Sequence, residues 1–250
     1  MFTEPMMPAP RHDHALGEIG CGEGLAALFR RQASERFEPG AAVFWEGDAA
    51  LHLFQIQDGV LRIYKIIGDG RRVITGFLYP GDFVGLSQRD RYLYTAEAVN
   101  RVKLRRLARN RFDEEVDSSP VLRPELFHRL ADEMAAAQDQ MVLLARKSAE
   151  ERVASFLVVM ARRLSAGLRG QPLIELPMSR LDMADYLGLT IETVSRIMTR
   201  LSSRGVIAAS GRHAIIIRQP HKLEILAGEG DDAVHDSIGV AFSRQAVWPN

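Results

Sequence analysis

Five polar side chains in the stretch TIETVSRIMTRL could act together: Glu192, Ser195, Arg196, Thr199 and Arg200. Val194, Ile197, Met198 and Leu201 recur at helical spacing, so a helix here turns those four inward and directs the polar five elsewhere. The chemistry that suits these types is the reading of base pairs. Arginine pairs bidentately with guanine O6 and N7, glutamate accepts from cytosine N4, and serine or threonine adapts to a base edge or a phosphate. A carboxylate near phosphates is repelled unless a base donor receives it, which makes Glu192 informative. The competing reading is that Glu192 and Arg196, four apart, form only a surface pair worth a few tenths of a kcal/mol.

Such a helix needs elements to position it. Upstream, LIEL (173 to 176) has the length of a short strand closed by Pro177, and Ser179 with Asp182 three residues on approximates a capping box, so a first helix is expected to start at Arg180. It is expected to bury Leu181, Ala184 and Leu187 and to stop at Gly188, which tolerates the positive φ of a tight turn. Thr190 then caps the polar helix, which ends by Gly205, and VIAASGRHAIIIRQ reads as two strands about Ser210-Gly211, a wing bearing Arg212 and His213. A wing of this kind touches the phosphate backbone.

Further upstream, short apolar runs from Glu38 to about Val102 alternate with Gly40, Gly47, Gly59, Gly70 and Gly81, about eleven residues apart. This is hairpin punctuation and predicts a closed antiparallel sandwich or barrel. After Ser119-Pro120 and Arg123-Pro124 the period becomes helical: Phe127, Leu130, Met134, Ala137, Met141 and Leu144 form a seam over almost three heptads. That seam either packs on its own domain or pairs with a second copy. A further helix is expected from Ser148 to Leu164, with Val153, Phe156, Leu157, Met160 and Leu164 on one face.

The formal net charge is zero, yet residues 146 to 222 hold 13 Lys or Arg against 6 Asp or Glu, while both flanking segments are net acidic. One basic segment beside acidic ones fits a single domain facing a polyanion. An apolar fraction of 46% without any membrane-length apolar run predicts a soluble protein with no membrane partner. The acidic, Pro-rich start lacks the form of a secretory signal, so the expected location is cytoplasmic. Cys21 is the only cysteine, which excludes an intrachain disulfide, a four-cysteine iron–sulfur site and a cysteine-rich zinc site, and leaves it to be read either as an inert residue or as a redox thiol. His52 and the His12/His14 pair are isolated, so no metal or other cofactor is assigned. No Ser/His/Asp, paired-carboxylate or phosphate-loop constellation is present, and the chain is read as non-enzymatic.

The stretch from Ser179 to Gly228, and within it the E-x-x-S-R pattern of Glu192, Ser195 and Arg196, resembles the DNA-binding domain of the Crp/Fnr regulator superfamily, its Fnr and FixK branches more than the cyclic-AMP receptor branch. The resemblance spans roughly residues 25 to 228, strongly over the last fifty and by pattern alone before them. It implies an α+β fold: an N-terminal antiparallel β-roll like those that bind cyclic nucleotides, a long dimerisation helix, and a C-terminal winged helix-turn-helix. The resulting division is a flexible tail over 1–20, the β-roll over 21–117, the dimerisation helix over 118–147, the DNA-binding domain over 148–222 and a disordered tail over 223–250.

The resemblance also implies a function: sequence-specific binding of double-stranded DNA by a homodimer that contacts RNA polymerase. For this branch the implied site resembles TTGAT-N4-ATCAA, with Arg196 on the guanine, Glu192 on its cytosine and Ser195 on a neighbouring thymine. Thr190, Thr193, Thr199, Arg200 and Arg212 are the expected backbone contacts, and the seam from Phe127 to Leu144 becomes the dimer contact. The sequence departs from the cyclic-AMP branch where a cyclic phosphate needs a Glu and an Arg-Ser pair: Leu86, Tyr94 and Thr95 stand there. Cyclic AMP is therefore not expected, and FixK-type members without a bound sensor are the nearest pattern. The alternatives are a haem-, nitric-oxide- or thiol-responsive member of the superfamily, an interaction module whose seam binds another protein and, from another class, a ligand-binding barrel or enzyme with an incidental helix-turn-helix.

Overall fold

The computed structural model describes residues 24–86, 90–164, 173–211 and 213–229. A short helix α1 (Leu25–Phe29) precedes eight strands: β1 (Ser34–Phe37), β2 (Ala42–Phe44), β3 (His52–Asp58), β4 (Leu61–Ile66), β5 (Arg72–Leu78), β6 (Phe83–Val84), β7 (Thr95–Ala98) and β8 (Val102–Ala108). They form two antiparallel four-stranded sheets, ordered β1-β8-β3-β6 and β2-β7-β4-β5. These antiparallel sheets fit the sandwich that the glycine punctuation predicted and the β-roll that the resemblance implied. Gly59 shows why the turns need glycine: it sits at φ 82°, and a Cβ there would lie 2.3 Å from the Arg101 carbonyl oxygen. The strand β1 carries too few apolar residues to announce itself in the sequence.

Three apolar clusters organise the chain. Phe44, Phe54, Ile56, Leu61, Ala96 and Leu104 are among those filling the space between the sheets. Leu25, Phe29, Leu53, Leu107, Phe112 and Leu126 join the outer face of the first sheet to α1, to α2 (Arg109–Ser118) and to the start of α3 (Leu122–Arg146). The third cluster runs from the outer face of the second sheet, through Val60, Tyr64, Ile74, Phe77 and Tyr79, into the C-terminal domain.

Helix α3 has 25 residues, about 37 Å of helix at a 1.5 Å rise. It buries Leu122 and Leu126, and Leu130 packs against the same cluster. Beyond that the seam stands clear of the protein's own core: Phe127, Met134 and Met141 are 66%, 65% and 62% exposed. Ala137 and Leu144, the latter in the last turn of α3, are also exposed.

The C-terminal domain consists of α4 (Ala149–Leu164), β9 (Leu173–Glu175), α5 (Arg180–Leu187), α6 (Ile191–Ser203), β10 (Ile207–Ala209), β11 (Ala214–Ile217) and α7 (Pro220–Leu226). The three strands form a sheet ordered β10-β11-β9. The domain continues past the boundary set at residue 222. Leu223 and Ala227 are buried in its core, and Lys147 Nζ donates to the Ala227 carbonyl at 2.8 Å. Helix α7 is seven residues long, with Ala227 as its C-cap, and gave too short a pattern to read. The tails at 1–20 and 230–250 lie outside the described residues. Among the described residues, no helix is long and apolar enough to cross a membrane.

Candidate nucleic-acid interface

Helices α5 and α6 begin where side chains replace missing backbone partners. Ser179 Oγ accepts from Asp182 N at 3.1 Å while Asp182 Oδ2 accepts from Ser179 N at 3.0 Å, a reciprocal capping box. Gly188 closes α5 in the left-handed conformation at φ 62°, ψ 40°. Two residues later the Thr190 hydroxyl accepts from Thr193 N at 3.2 Å and starts α6.

One expectation for α5 is corrected. Leu181 is not a core residue but 49% exposed, and Met183 is fully buried beside Ala184 and Leu187. Eight residues leave the phase of an amphipathic helix loosely determined, and the packing turned the buried face so that Met183 takes the place of Leu181 while Ala184 and Leu187 stay buried.

Val194, Ile197, Met198 and Leu201 of α6 are buried, and Glu192, Ser195, Arg196 and Thr199 project from the exposed faces. No ion pair joins Glu192 to Arg196 among the described residues. The Glu192 carboxyl is held below the usual carboxylate range by its own backbone N–H, then by the Thr190 hydroxyl, with Arg196 adding a smaller pull. Arg196 Nη2 lies 3.4 Å from the Thr193 hydroxyl, a long contact that leaves most of its donors open. Thr199 Oγ1 donates to the Ser195 carbonyl at 3.0 Å.

Arg200 points away from this group. It shares Glu150 of α4 with Arg204, at 3.4 and 3.0 Å. An exposed pair of that kind contributes about 0–1 kcal/mol, so reaching a phosphate would cost little.

Strands β10 and β11 form the wing. Between it and α6 runs a groove lined by Arg180, Ser195, Thr199, Ser202 and Ser203. Arg180 was not singled out in the sequence; it reaches Met183 Sδ at 3.2 Å, and burial lowers its pKa. Its signal was a cation in the first turn of a helix, where the macrodipole disfavours positive charge unless an anion is brought there. Arg212 and Cys21 lie outside the described residues.

The β-roll interior is filled differently. Tyr92 stacks on Phe44 with ring centroids 3.6 Å apart, and Tyr94 tilts onto the same ring. The Tyr94 hydroxyl, its pKa pushed up to about 12 by burial, accepts from Gly85 N at 3.3 Å. Leu86 is buried, Thr95 Oγ1 accepts from Glu46 N at 3.0 Å, and Arg91 donates to the Gly47 carbonyl at 2.6 Å.

A β-roll joined through a long helix to a winged helix-turn-helix, with a polar recognition face standing clear of its own core, defines a DNA-binding transcription regulator. Comparison with known proteins gives the particular family. Residues 34–119 match the cyclic nucleotide-binding domain and residues 151–226 the Crp-like helix-turn-helix domain. The nitrogen fixation regulation protein FixK of Bradyrhizobium diazoefficiens is 41% identical over 191 residues, 76% of this chain and 80% of that one. The transcriptional activatory protein AadR of Rhodopseudomonas palustris is 39% identical over 224 residues, 87% of each chain. The solved structure of FixK2 from Bradyrhizobium japonicum superposes with a TM-score of 0.73 at 35% identity, covering 78% of this chain and 96% of that one. The chain belongs to the Crp/Fnr family of transcription regulators and is FixK-like.

Against that family background the filled β-roll has a consequence. A cyclic phosphate needs cationic and hydroxyl donors. Among the described residues of the loop, Leu86 offers no polar group, the Tyr94 and Thr95 hydroxyls accept from backbone N–H groups, and Arg91 donates to the Gly47 carbonyl. Ser87, Gln88 and Arg89 of the same loop lie outside the described residues.

Proposed function

We propose that this regulator binds, as a homodimer, a palindrome resembling TTGAT-N4-ATCAA, without a cyclic nucleotide or an iron–sulfur cluster, and contacts RNA polymerase from that site. The observation that carries the reading is the division of α6. Its apolar face is wholly committed to the core, and Glu192, Ser195 and Arg196 are offered outward at the end where a recognition helix meets bases. Arg196 pairs with the guanine, Glu192 accepts from the cytosine opposite it, and Ser195 meets the neighbouring thymine. Thr190, Thr193, Thr199, Arg200 and Arg212 hold the backbone, which sets register without carrying sequence information.

The seam of Phe127, Leu130, Met134, Ala137, Met141 and Leu144, exposed except at Leu130, joins two copies through α3, placing two recognition helices about 34 Å apart in successive major grooves. The packed aromatic interior of the β-roll supports activity without a bound nucleotide.

The test is fluorescence anisotropy of purified, ligand-free protein in air at fixed salt. The probes are a TTGAT-N4-ATCAA duplex and a copy with both guanines replaced. Tight binding that depends on the guanines is expected. Equal weak binding to both duplexes, which carry the same phosphate charge, would contradict the reading.

A further inference from the structure

The β-roll and the helix-turn-helix are joined by a buried cluster of charges that DNA reading does not use. Asp182, whose side chain is 5% exposed, accepts on Oδ1 from Arg62 Nη1 at 3.0 Å and from Arg72 Nη2 at 2.7 Å. Its Oδ2 is the capping-box acceptor for the Ser179 N–H and hydroxyl, so one carboxylate starts α5 and ties it to β4 and β5. Arg72 Nε also donates to Asp185 Oδ2 at 2.8 Å, one turn further along α5. On the β-roll side Arg62 pairs with buried Glu97, which also accepts from the Tyr64 hydroxyl at 2.9 Å.

The surroundings fix the same geometry. Phe77 of β5, Phe156 of α4 and Tyr186 of α5 meet as three rings with centroids 5.5 to 6.3 Å apart. Arg163 of α4 pairs with Asp82 and lies over the Tyr79 ring. On the hinge side Arg152 donates to the carbonyls of Lys147, Leu187 and Leu144, and Gln140 of α3 donates to the Tyr186 carbonyl.

We propose that Arg62 and Arg72, acting through Asp182 and Asp185, are positioning residues that hold the helix-turn-helix at one angle to the β-roll and so determine which half-site spacing the dimer accepts. The inference rests on the dimeric, palindrome-reading function proposed above. A buried ion pair contributes geometric definition more dependably than stability, because a guanidinium and a carboxylate taken out of water tolerate few arrangements. Here one carboxylate is shared between the cap that starts α5 and two guanidinium groups of a different domain, so α5 cannot turn against the sheet without losing several charge-assisted bonds together. Helix α6 follows α5 after a turn of three residues, and its outward face carries none of these contacts. The clasp therefore fixes orientation and leaves the bases accessible. It supplies from within the chain the domain arrangement that a bound effector would otherwise have to select.

Spacing tests this because orientation and base reading separate there. Two added base pairs shift one half-site by about 7 Å and rotate it by about 70°, leaving each half-site sequence intact. Anisotropy is measured on half-sites separated by four and by six base pairs, and on a single half-site with and without its guanine. Wild type is expected to favour the four-base-pair spacer. Arg72→Asp, Asp185→Arg and the milder Arg72→Gln are each expected to lower the four-to-six ratio about tenfold, equivalent to about 1.4 kcal/mol. The ratio cancels any uniform change in attraction to phosphate, and guanine-dependent half-site binding confirms that each variant retains a folded reading head. The paired exchange R72D/D185R is expected to raise the ratio again. An unchanged ratio in the single variants, a paired exchange that fails to raise it, or single variants that bind the four-base-pair site more tightly would overturn the positioning role. A wild type that ignores guanine replacement would overturn the functional reading, and this role with it.

Discussion

The recognition face and the clasp are built from the same kinds of side chain and put them to opposite use. On α6, Glu192 and Arg196 are exposed and joined by no ion pair, and Arg196 keeps most of its donors for something outside the chain. Less than one helix away, Asp182 and Asp185 meet Arg62 and Arg72 in a cluster where both Asp182 oxygens are occupied. Residue type alone does not distinguish the two. What distinguishes them is unspent capacity: a charge saturated inside the protein fixes shape, and a charge left open recognises a partner.

The comparison can be broken most forcefully at the seam. Met134→Asp places a charge where two apolar faces would meet and leaves both the reading face and the clasp of each copy untouched. The expected outcome is a monomer by sedimentation and a loss of palindrome affinity of about a hundredfold or more, since specific sites are held roughly a thousandfold tighter than random DNA. A dimer of unchanged affinity would place the contact elsewhere.

Gly188 joins the saturated helix to the open one. A Cβ there would meet Arg152 and Leu144 at an ordinary 3.5 Å, so Gly188→Ala isolates the strain of the φ 62° conformation. A loss of about 1–2 kcal/mol in denaturant unfolding is expected.

Arg200→Ala sharpens the recognition side of the contrast. It is expected to weaken binding evenly across duplexes and to reduce the salt slope by about one, with no change in base preference. A change confined to one base position would make Arg200 a reader.

The smallest effect belongs to the clasp. Tyr64 on β4 donates to Glu97 of β7 beside Arg62 and Arg72, and burial first, then that bond, raises its pKa from 10.0 to about 12. The folded state thus holds this proton more tightly than the unfolded chain. The contribution is complete below pH 10 and is lost as pH rises through about 12. Tyr64→Phe should flatten part of the alkaline fall in stability measured by urea unfolding.

Much of the recognition head was legible because its signals are local. Ser179 with Asp182, Gly188, Thr190 and the buried stripe of α6 all act within a few residues of one another, and turn glycines such as Gly59 marked the β-roll in the same way. The clasp was not legible. Arg62 and Asp182 lie 120 positions apart, Asp182 looked complete as a cap, and Arg62 looked like one more charge in a strand. The exposure of Leu181 and the docking of α7 were decided by neighbours of the same long-range kind. The seam was visible as a pattern, but the sequence left open what covers it, and the exposure of Phe127, Met134 and Met141 narrows that question to something outside the chain's own core.

The most direct test of the central claim is a double-mutant cycle across the DNA contact, pairing Arg196→Ala with replacement of the half-site guanine and measuring all four affinities at one salt concentration. The account predicts a coupling of about 1–3 kcal/mol, so that Arg196→Ala costs affinity on the guanine duplex and little on the replaced one. Equal losses on both duplexes, a coupling near zero, would contradict it.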